Sequence, residues 1–224
     1  MIHFIHVGKC AGSSVSSALR DLKIPFKEYH CFDADKVLQS VLSESSGDFF
    51  LISVRDPVKR FISAFYWDFY EKRVTNNKLG PKNVWLDLYN TFNTPNEVGE
   101  ALSSTNSKLR TKALTFFHNS SLHAQYSLSW YIKPSNVKYL NPENCSVIRT
   151  ESADKDFQKF LNQISIDKLS KSLPREKSNY KQHIDGYDTN LSDLAIKNIK
   201  NIYCDDYLIL DGFYRKGLIE KRYA

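Results

Sequence analysis

His6-Val7-Gly8-Lys9-Cys10-Ala11-Gly12-Ser13-Ser14 joins two segments of different period. Ahead of it, Ile2 to Val7 is an apolar run of the length of a buried strand. Behind it, Val15, Ala18, Leu19 and Leu22 fall at the i, i+3, i+4, i+7 spacing of a core-facing helix. Strand, small-residue turn with a lysine, then helix is an anion-binding arrangement. Gly8, Ala11 and Gly12 let backbone N–H groups approach an anion, and the helix start adds unpaired donors and a partial positive charge. Ser13 or Ser14 can cap or donate. The same residue types also make ordinary strand-to-helix turns, so the loop acquires meaning only beside a second feature.

Outward from the loop, Ile24 to Phe32 reads as a short second strand. Asp33 is placed to cap a helix whose apolar face is Ala34, Val37, Leu38, Val41 and Leu42, ended by Ser45-Ser46-Gly47. Phe49 to Val54 is unbroken apolar sequence, the pattern of a parallel strand covered on both faces. Asp56 then suits an N-cap and Pro57 the first helical position. In that helix Val58, Phe61, Ile62, Phe65 and Phe69 form the buried stripe, with Lys59, Arg60 and Ser63 off it. This β-α-β-α-β-α order predicts a P-loop-like α/β fold, a parallel sheet flanked by helices with ligands at the strands' carboxyl ends.

Residues 71–145 break the regularity and read as a mostly helical insertion. Trp85, Leu86, Leu88, Tyr89 and Phe92 can pack as a helix; Leu122 to Ile132 has no clear period. Ser146 to Arg149 is the next expected strand. Ser152 caps a helix with Phe157, Phe160, Leu161 and Ile164 inward. A basic polar loop runs from Lys168 to Gln182. Ser192 caps a last long helix bearing Leu194, Ala195, Ile199, Ile202 and Tyr203, and the Arg215, Lys216, Lys221, Arg222 end trails over the surface.

A chain of 224 residues with 42% hydrophobic and 13% aromatic content suits one folded domain, 1–224. The net charge of +6 fits an anionic partner without choosing it. Cys10, Cys31, Cys145 and Cys204 form no CxxC pair and no metal-ligand spacing, so reduced thiols and no metal site are expected. No signal peptide or membrane span is visible, which points to a cytoplasmic protein.

The lysine at position 9 precedes the small residues, whereas a Walker A loop places its lysine after the glycines, directly before Ser/Thr. No Walker B strand is evident either, which disfavours a magnesium-dependent NTPase. Arg55 supplies the second feature. It stands at a strand's carboxyl end, with Ser63 two turns along the next helix. A guanidinium grips a phosphate through two donors and a serine hydroxyl adds a third. Loop and arginine together make two anion sites on adjacent strand ends.

These two stretches carry a resemblance. Phe4 to Ser14 resembles the 5′-phosphosulfate loop of sulfotransferases that use 3′-phosphoadenylyl sulfate (PAPS), and Val54 to Tyr66 resembles their 3′-phosphate motif, R-D-P-x-x-R-x-x-S. The likeness is to the carbohydrate branch, including heparan-type 2-O enzymes and small bacterial relatives. It continues loosely through His123-Ala124-Gln125-Tyr126, then Val147 to Glu151 with Asp156-Phe157, and ends at Ile202-Tyr203-Cys204-Asp205-Asp206-Tyr207.

The resemblance implies a sulfotransferase with PAPS as donor and PAP as product, acting on a hydroxyl of a small-molecule or saccharide acceptor. It implies Lys9 as the cation at the bridging oxygen and Cys10, Ala11, Gly12, Ser13 and Ser14 around the 5′-phosphate. Arg55 and Ser63 would hold the 3′-phosphate. Lys177 and Ser178 match the late loop that covers the nucleotide. His30 stands where the heparan 2-O branch carries its catalytic histidine, with Glu28 and Asp33 as alternatives because other branches use a carboxylate. His123 is a secondary candidate, and the 71–145 segment becomes the acceptor side. Neither nucleic acid nor membrane insertion is expected. The competing readings are a nucleotide-dependent kinase and a non-catalytic basic protein that binds polyanions.

Overall fold

The computed structural model describes residues 1–30, 34–43, 47–75, 82–119, 122–166, 172–174, 176 and 179–223, the side chains of residues 37, 41–43, 74 and 82–84 excepted. Among these, β1 (Ile2–Ile5), β2 (Phe26–Tyr29), β3 (Phe49–Val54) and β4 (Cys145–Arg149) form one parallel sheet in the order β2-β1-β3-β4. Ile2 pairs with Phe26 on one side and Phe49 on the other, and Phe50 pairs with Cys145. From β1 the chain steps outward to β2, then returns to β1's other side for β3. The switch point therefore lies between β1 and β3, where an open parallel sheet leaves a crevice beyond its carboxyl ends. The α/β sheet expected from the sequence is the one observed.

The helices are α1 (Gly12–Asp21), α2 (Ala34–Ser43), α3 (Pro57–Phe69), α4 (Lys82–Thr91), α5 (Pro95–Ala101), α6 (Ser107–His118), α7 (Leu128–Tyr131), α8 (Ala153–Gln163), α9 (Asp193–Ile202) and α10 (Cys204–Arg215). The chain divides into two compact units. One comprises Met1–Asp56, Leu128–Glu176 and Asp205–Ala224; the other comprises Pro57–Ser127 and Lys177–Cys204.

In the first unit Phe4, Leu51 and Ile148 from the sheet meet Val15 and Leu19 of α1 and Phe157, Phe160 and Leu161 of α8, all buried. Two buried carboxylates fix the connections. Asp156 accepts the Arg149 backbone N–H at 2.9 Å and its guanidinium at 2.7 and 2.8 Å, tying α8 to the end of β4. Asp206, fully buried, accepts the N–H groups of Leu128 and Ser129 at 3.0 and 2.9 Å and so caps α7 from a distant part of the chain. In the second unit Phe61, Phe65, Tyr89, Phe92, Phe116 and Phe117 are packed aromatic against aromatic. Gly99 lets α5 press against α9, since a Cβ there would stand 2.6 Å from that of Ala195.

Several details differ from the sequence reading. Leu22 is exposed because α1 ends at Asp21, before the last apolar repeat. Leu194 points outward from the first turn of α9. Ser192 caps α9 through the Ala195 N–H at 3.2 Å, as expected, but Ser152 makes no backbone cap and instead donates its hydroxyl to Asp156 at 2.8 Å. Arg60, placed off the buried stripe of α3, is only 1% exposed. Cys204–Arg215, to which the sequence reading assigned no element, forms a further helix, α10, whose buried residues Asp206, Ile209, Leu210 and Phe213 repeat at i, i+3, i+4, i+7. Asp33, Ser45 and Ser46, and the side chains of Val37, Val41 and Leu42, lie outside the described residues.

Candidate active site

The loop after β1 adopts a backbone that L-residues seldom accept. Lys9 and Ala11 have φ of 68° and 60°, in the left-handed region, so the special conformations fall beside the glycines rather than on them. Left-handed residues within such a turn aim successive N–H groups into one concavity, an anion nest. Buried Cys10 anchors the turn from below, its N–H donating to Val7 O at 3.3 Å and its thiol to Gly8 O at 3.7 Å. Helix α1 begins at Gly12, and Ala11 at its N-cap has no side chain that can cap. The amides of Gly12, Ser13 and Ser14 therefore enter the helix with no acceptor inside it. The Ser14 hydroxyl accepts the Glu176 N–H at 3.4 Å, while Leu173 is buried in the core of the same unit.

Gly12 is required by contact, not by φ. A Cβ there would stand 1.8 Å from His6 Cδ2 and 2.2 Å from its Nε2. The His6 ring lies directly under the start of α1. Its Nδ1 is 2.6 Å from Glu28 Oε1 on β2. Glu28 also accepts from the Ser16 hydroxyl at 2.6 Å and from Arg20 at 3.2 Å. The His6 hydrogen bond holds this carboxyl down to about 2, with Ser16 and the charges of His6 and Arg20 adding to it against partial burial. A carboxylate so held is a weak base, and both its oxygens are engaged.

His30 follows β2. Its Nδ1 lies 2.9 Å from the carbonyl oxygen of His6. A carbonyl only accepts, so Nδ1 carries the hydrogen and the neutral ring presents its lone pair at Nε2. The ring stacks on that of His6 with centroids 4.2 Å apart. That is the tautomer and the restraint a general base needs.

Arg55 follows β3 across the switch point and donates from Nη1 to Lys9 O at 3.4 Å. Next to it the Asp56 N–H donates to Glu151 Oε1 at 3.1 Å, and the Thr150 hydroxyl donates to Val54 O at 3.1 Å. These bonds fix the end of β3 from β4's side. Lys9, Cys10, Ala11, Gly12, Ser13, Ser14, His30 and Arg55 thus gather beyond the carboxyl ends of β1, β2 and β3.

In the second unit Ser63 sits on α3, its hydroxyl 3.5 Å from that of Tyr180. Two features here escaped the sequence reading. Arg60 donates to the carbonyls of His123, Ala124 and Tyr126 at 3.0 to 3.2 Å, and to the Tyr203 hydroxyl at 3.2 Å. Buried Asp68 accepts both the backbone N–H of His123, at 2.7 Å, and Nδ1 of its ring, at 2.5 Å. A carboxylate behind Nδ1 fixes the imidazole and leaves Nε2 on the side of the ring away from it. Four residues on, in the π-helical turn Tyr70–Val74 that follows α3, Lys72 is buried, and burial pulls its ammonium down against the opposing charges of Asp68 and Glu71. The advance signals were the second arginine of R-D-P-x-x-R and His123 as a secondary candidate, with nothing to mark Asp68 as its partner. Trp85, Tyr89 and Tyr131 are core residues. Lys177, Ser178 and Asp33 lie outside the described residues.

No helix among the described residues is long and apolar enough to cross a membrane. Cys10 and Cys145 are buried and Cys204 exposed, none of them in a disulfide. Among known proteins, the model of the family described as Sulfotransferase family matches residues 1–214. No curated protein and no solved structure matches the chain.

Proposed function

The chain belongs to the sulfotransferase family, and on that premise we propose that it moves a sulfuryl group from PAPS to a hydroxyl of a saccharide or similar small acceptor. One observation carries the reading. The left-handed turn at Lys9 and Ala11 opens onto the uncapped start of α1, and Arg55 from the neighbouring strand is bonded to that same turn. Those are the donors that a phosphosulfate and a nearby second phosphate need. The donor, when bound, supplies a sulfuryl group on a good leaving group.

The residues divide the work by position. The amides of Gly12 to Ser14 and the turn before them hold the 5′-phosphate. The Lys9 ammonium neutralises charge that develops on the bridging oxygen as the sulfur–oxygen bond breaks; a preorganised donor of this kind contributes about 3–4 kcal/mol. His30 Nε2 takes the acceptor's hydroxyl proton as the new oxygen–sulfur bond forms, a contribution of roughly 10²–10⁴-fold. Arg55 binds the 3′-phosphate, with Ser63, Lys177 and Ser178 assigned to the nucleotide by the resemblance.

The test is a thermal-shift comparison of PAP with ATP, followed by a labelled-PAPS screen over sugar acceptors. Stabilisation by PAP and labelled product are expected. Stabilisation by ATP with magnesium instead would favour a kinase, and steep salt-dependent polyanion binding without transfer would favour the non-catalytic reading. Either outcome overturns the proposal.

A further inference from the structure

His6 is only 8% exposed, yet it is surrounded by polar groups. Glu28 from β2 meets its Nδ1 at 2.6 Å. Ser16 and Arg20 of α1 hold the same carboxylate. Phe4 stacks beside the ring at 5.6 Å, His30 stacks on it at 4.2 Å, and Gly12 closes the remaining side. Among the described residues, the charged and titratable groups near it include Glu28 and His30 from the β2 side, Arg20 from α1, and Lys9 and Cys10 in the loop that follows it. Arg20 is exposed and sits on the far oxygen of Glu28, while the near oxygen, Oε1, is shared by His6 Nδ1 and the Ser16 hydroxyl.

We propose that His6 is a positioning residue for His30, standing as an imidazolium between Glu28 and the His30 ring and keeping that ring in its neutral, proton-accepting form. The inference rests on His30 being the base. A carboxylate at hydrogen-bond distance favours the charged form of His6, and a cation stacked at van der Waals distance disfavours a second charge on His30. The His6 carbonyl meanwhile dictates which nitrogen of His30 carries the hydrogen. One residue thus fixes the tautomer through its backbone and the charge through its side chain. Because the same ring underlies Gly12, the base and the anion turn share a foundation.

The experiment follows the histidine ring nitrogens by NMR through a pH titration of the full chain, in the wild type, His6→Gln and Glu28→Gln. This needs no substrate. In His6→Gln the His30 midpoint should rise by about 1 pH unit, as removal of a neighbouring cation requires. In Glu28→Gln the two midpoints should move toward each other, that of His6 falling and that of His30 rising, because the two rings titrate as a coupled pair. A His30 midpoint unmoved or lowered in these variants overturns the proposal. If His6→Gln does not fold, Glu28→Gln decides alone. In active enzyme the acid limb of the rate profile should move with the His30 midpoint, costing roughly tenfold in kcat below it. An acid limb that stays put while the midpoint shifts also overturns it. Absence of PAP binding by the wild type would instead strike the sulfotransferase reading and leave the titration result standing.

Discussion

A methyl group on residue 12 has no room, because the His6 ring occupies its place at 1.8 Å. Gly12→Ala must push either the ring or the start of α1 aside. The expected cost is about 1–3 kcal/mol, measured by chemical denaturation, with weakened PAP binding because the donors of the turn move too. Lys9→Ala should lower transfer by ~10²–10³-fold while the folded state is retained. His30→Ala should lower kcat by roughly 10²–10⁴-fold with PAP binding intact, and loss of PAP binding in that variant would contradict its role. Glu28 gives a pH signature. Its folded-state value, about 2, lies below the ordinary 4.5, so its contribution to stability is present above 4.5 and lost as pH falls through 2. The stability gap between wild type and Glu28→Gln should therefore be largest near neutrality and close between pH 4.5 and 2, as followed by urea unfolding.

At the level of elements, β1, β3 and the start of α3 were legible because each is decided locally. Phe49 to Val54 is all apolar, and Pro57 opens a helix wherever its missing N–H does no harm. The anion turn was legible in its residue types but not in its backbone, since nothing local shows that Lys9 and Ala11 carry the positive φ values while Gly12 serves a contact. What could not be read were roles set by partners far along the chain. Arg60 bonds carbonyls more than sixty residues away. Asp206 caps a helix 78 residues before it. Periodicity assigns a charged residue to solvent unless its partner is known, which is why Arg60 was misplaced. These carboxylates should matter accordingly. Asp156→Ala would strand the Arg149 guanidinium in a nearly buried site and is expected to cost about 3–5 kcal/mol in denaturant unfolding. Asp206→Ala, which uncaps α7, should cost roughly 1–3 kcal/mol.

For the molecule as a whole, each unit has its own apolar core, so neither depends on a ligand for its buried surface. A ligand that binds the folded state still adds stability by mass action. At a hundredfold excess over its dissociation constant PAP should contribute about 2.7 kcal/mol, which for a chain of this size raises Tm by roughly 5–10 °C. With a net charge of +6 and a polyanionic ligand, that shift should shrink as salt is raised from low to physiological strength and beyond. A shift insensitive to salt would argue against binding through Lys9 and Arg55.

The fit of His6 beneath Gly12 has a consequence for protein engineering. The nine-residue turn is not a portable cassette. Grafted onto another strand–helix junction without the ring that supports it, it would lose the surface on which α1 starts; grafted with the ring but without Glu28 opposite, it would import an imidazole with no carboxylate to hold it. The smallest transferable unit spans three elements, β1, α1 and β2. A library that varies positions 6 and 12 independently should be filled mostly with failures, whereas one that varies them as a pair, large with small, should recover folded variants.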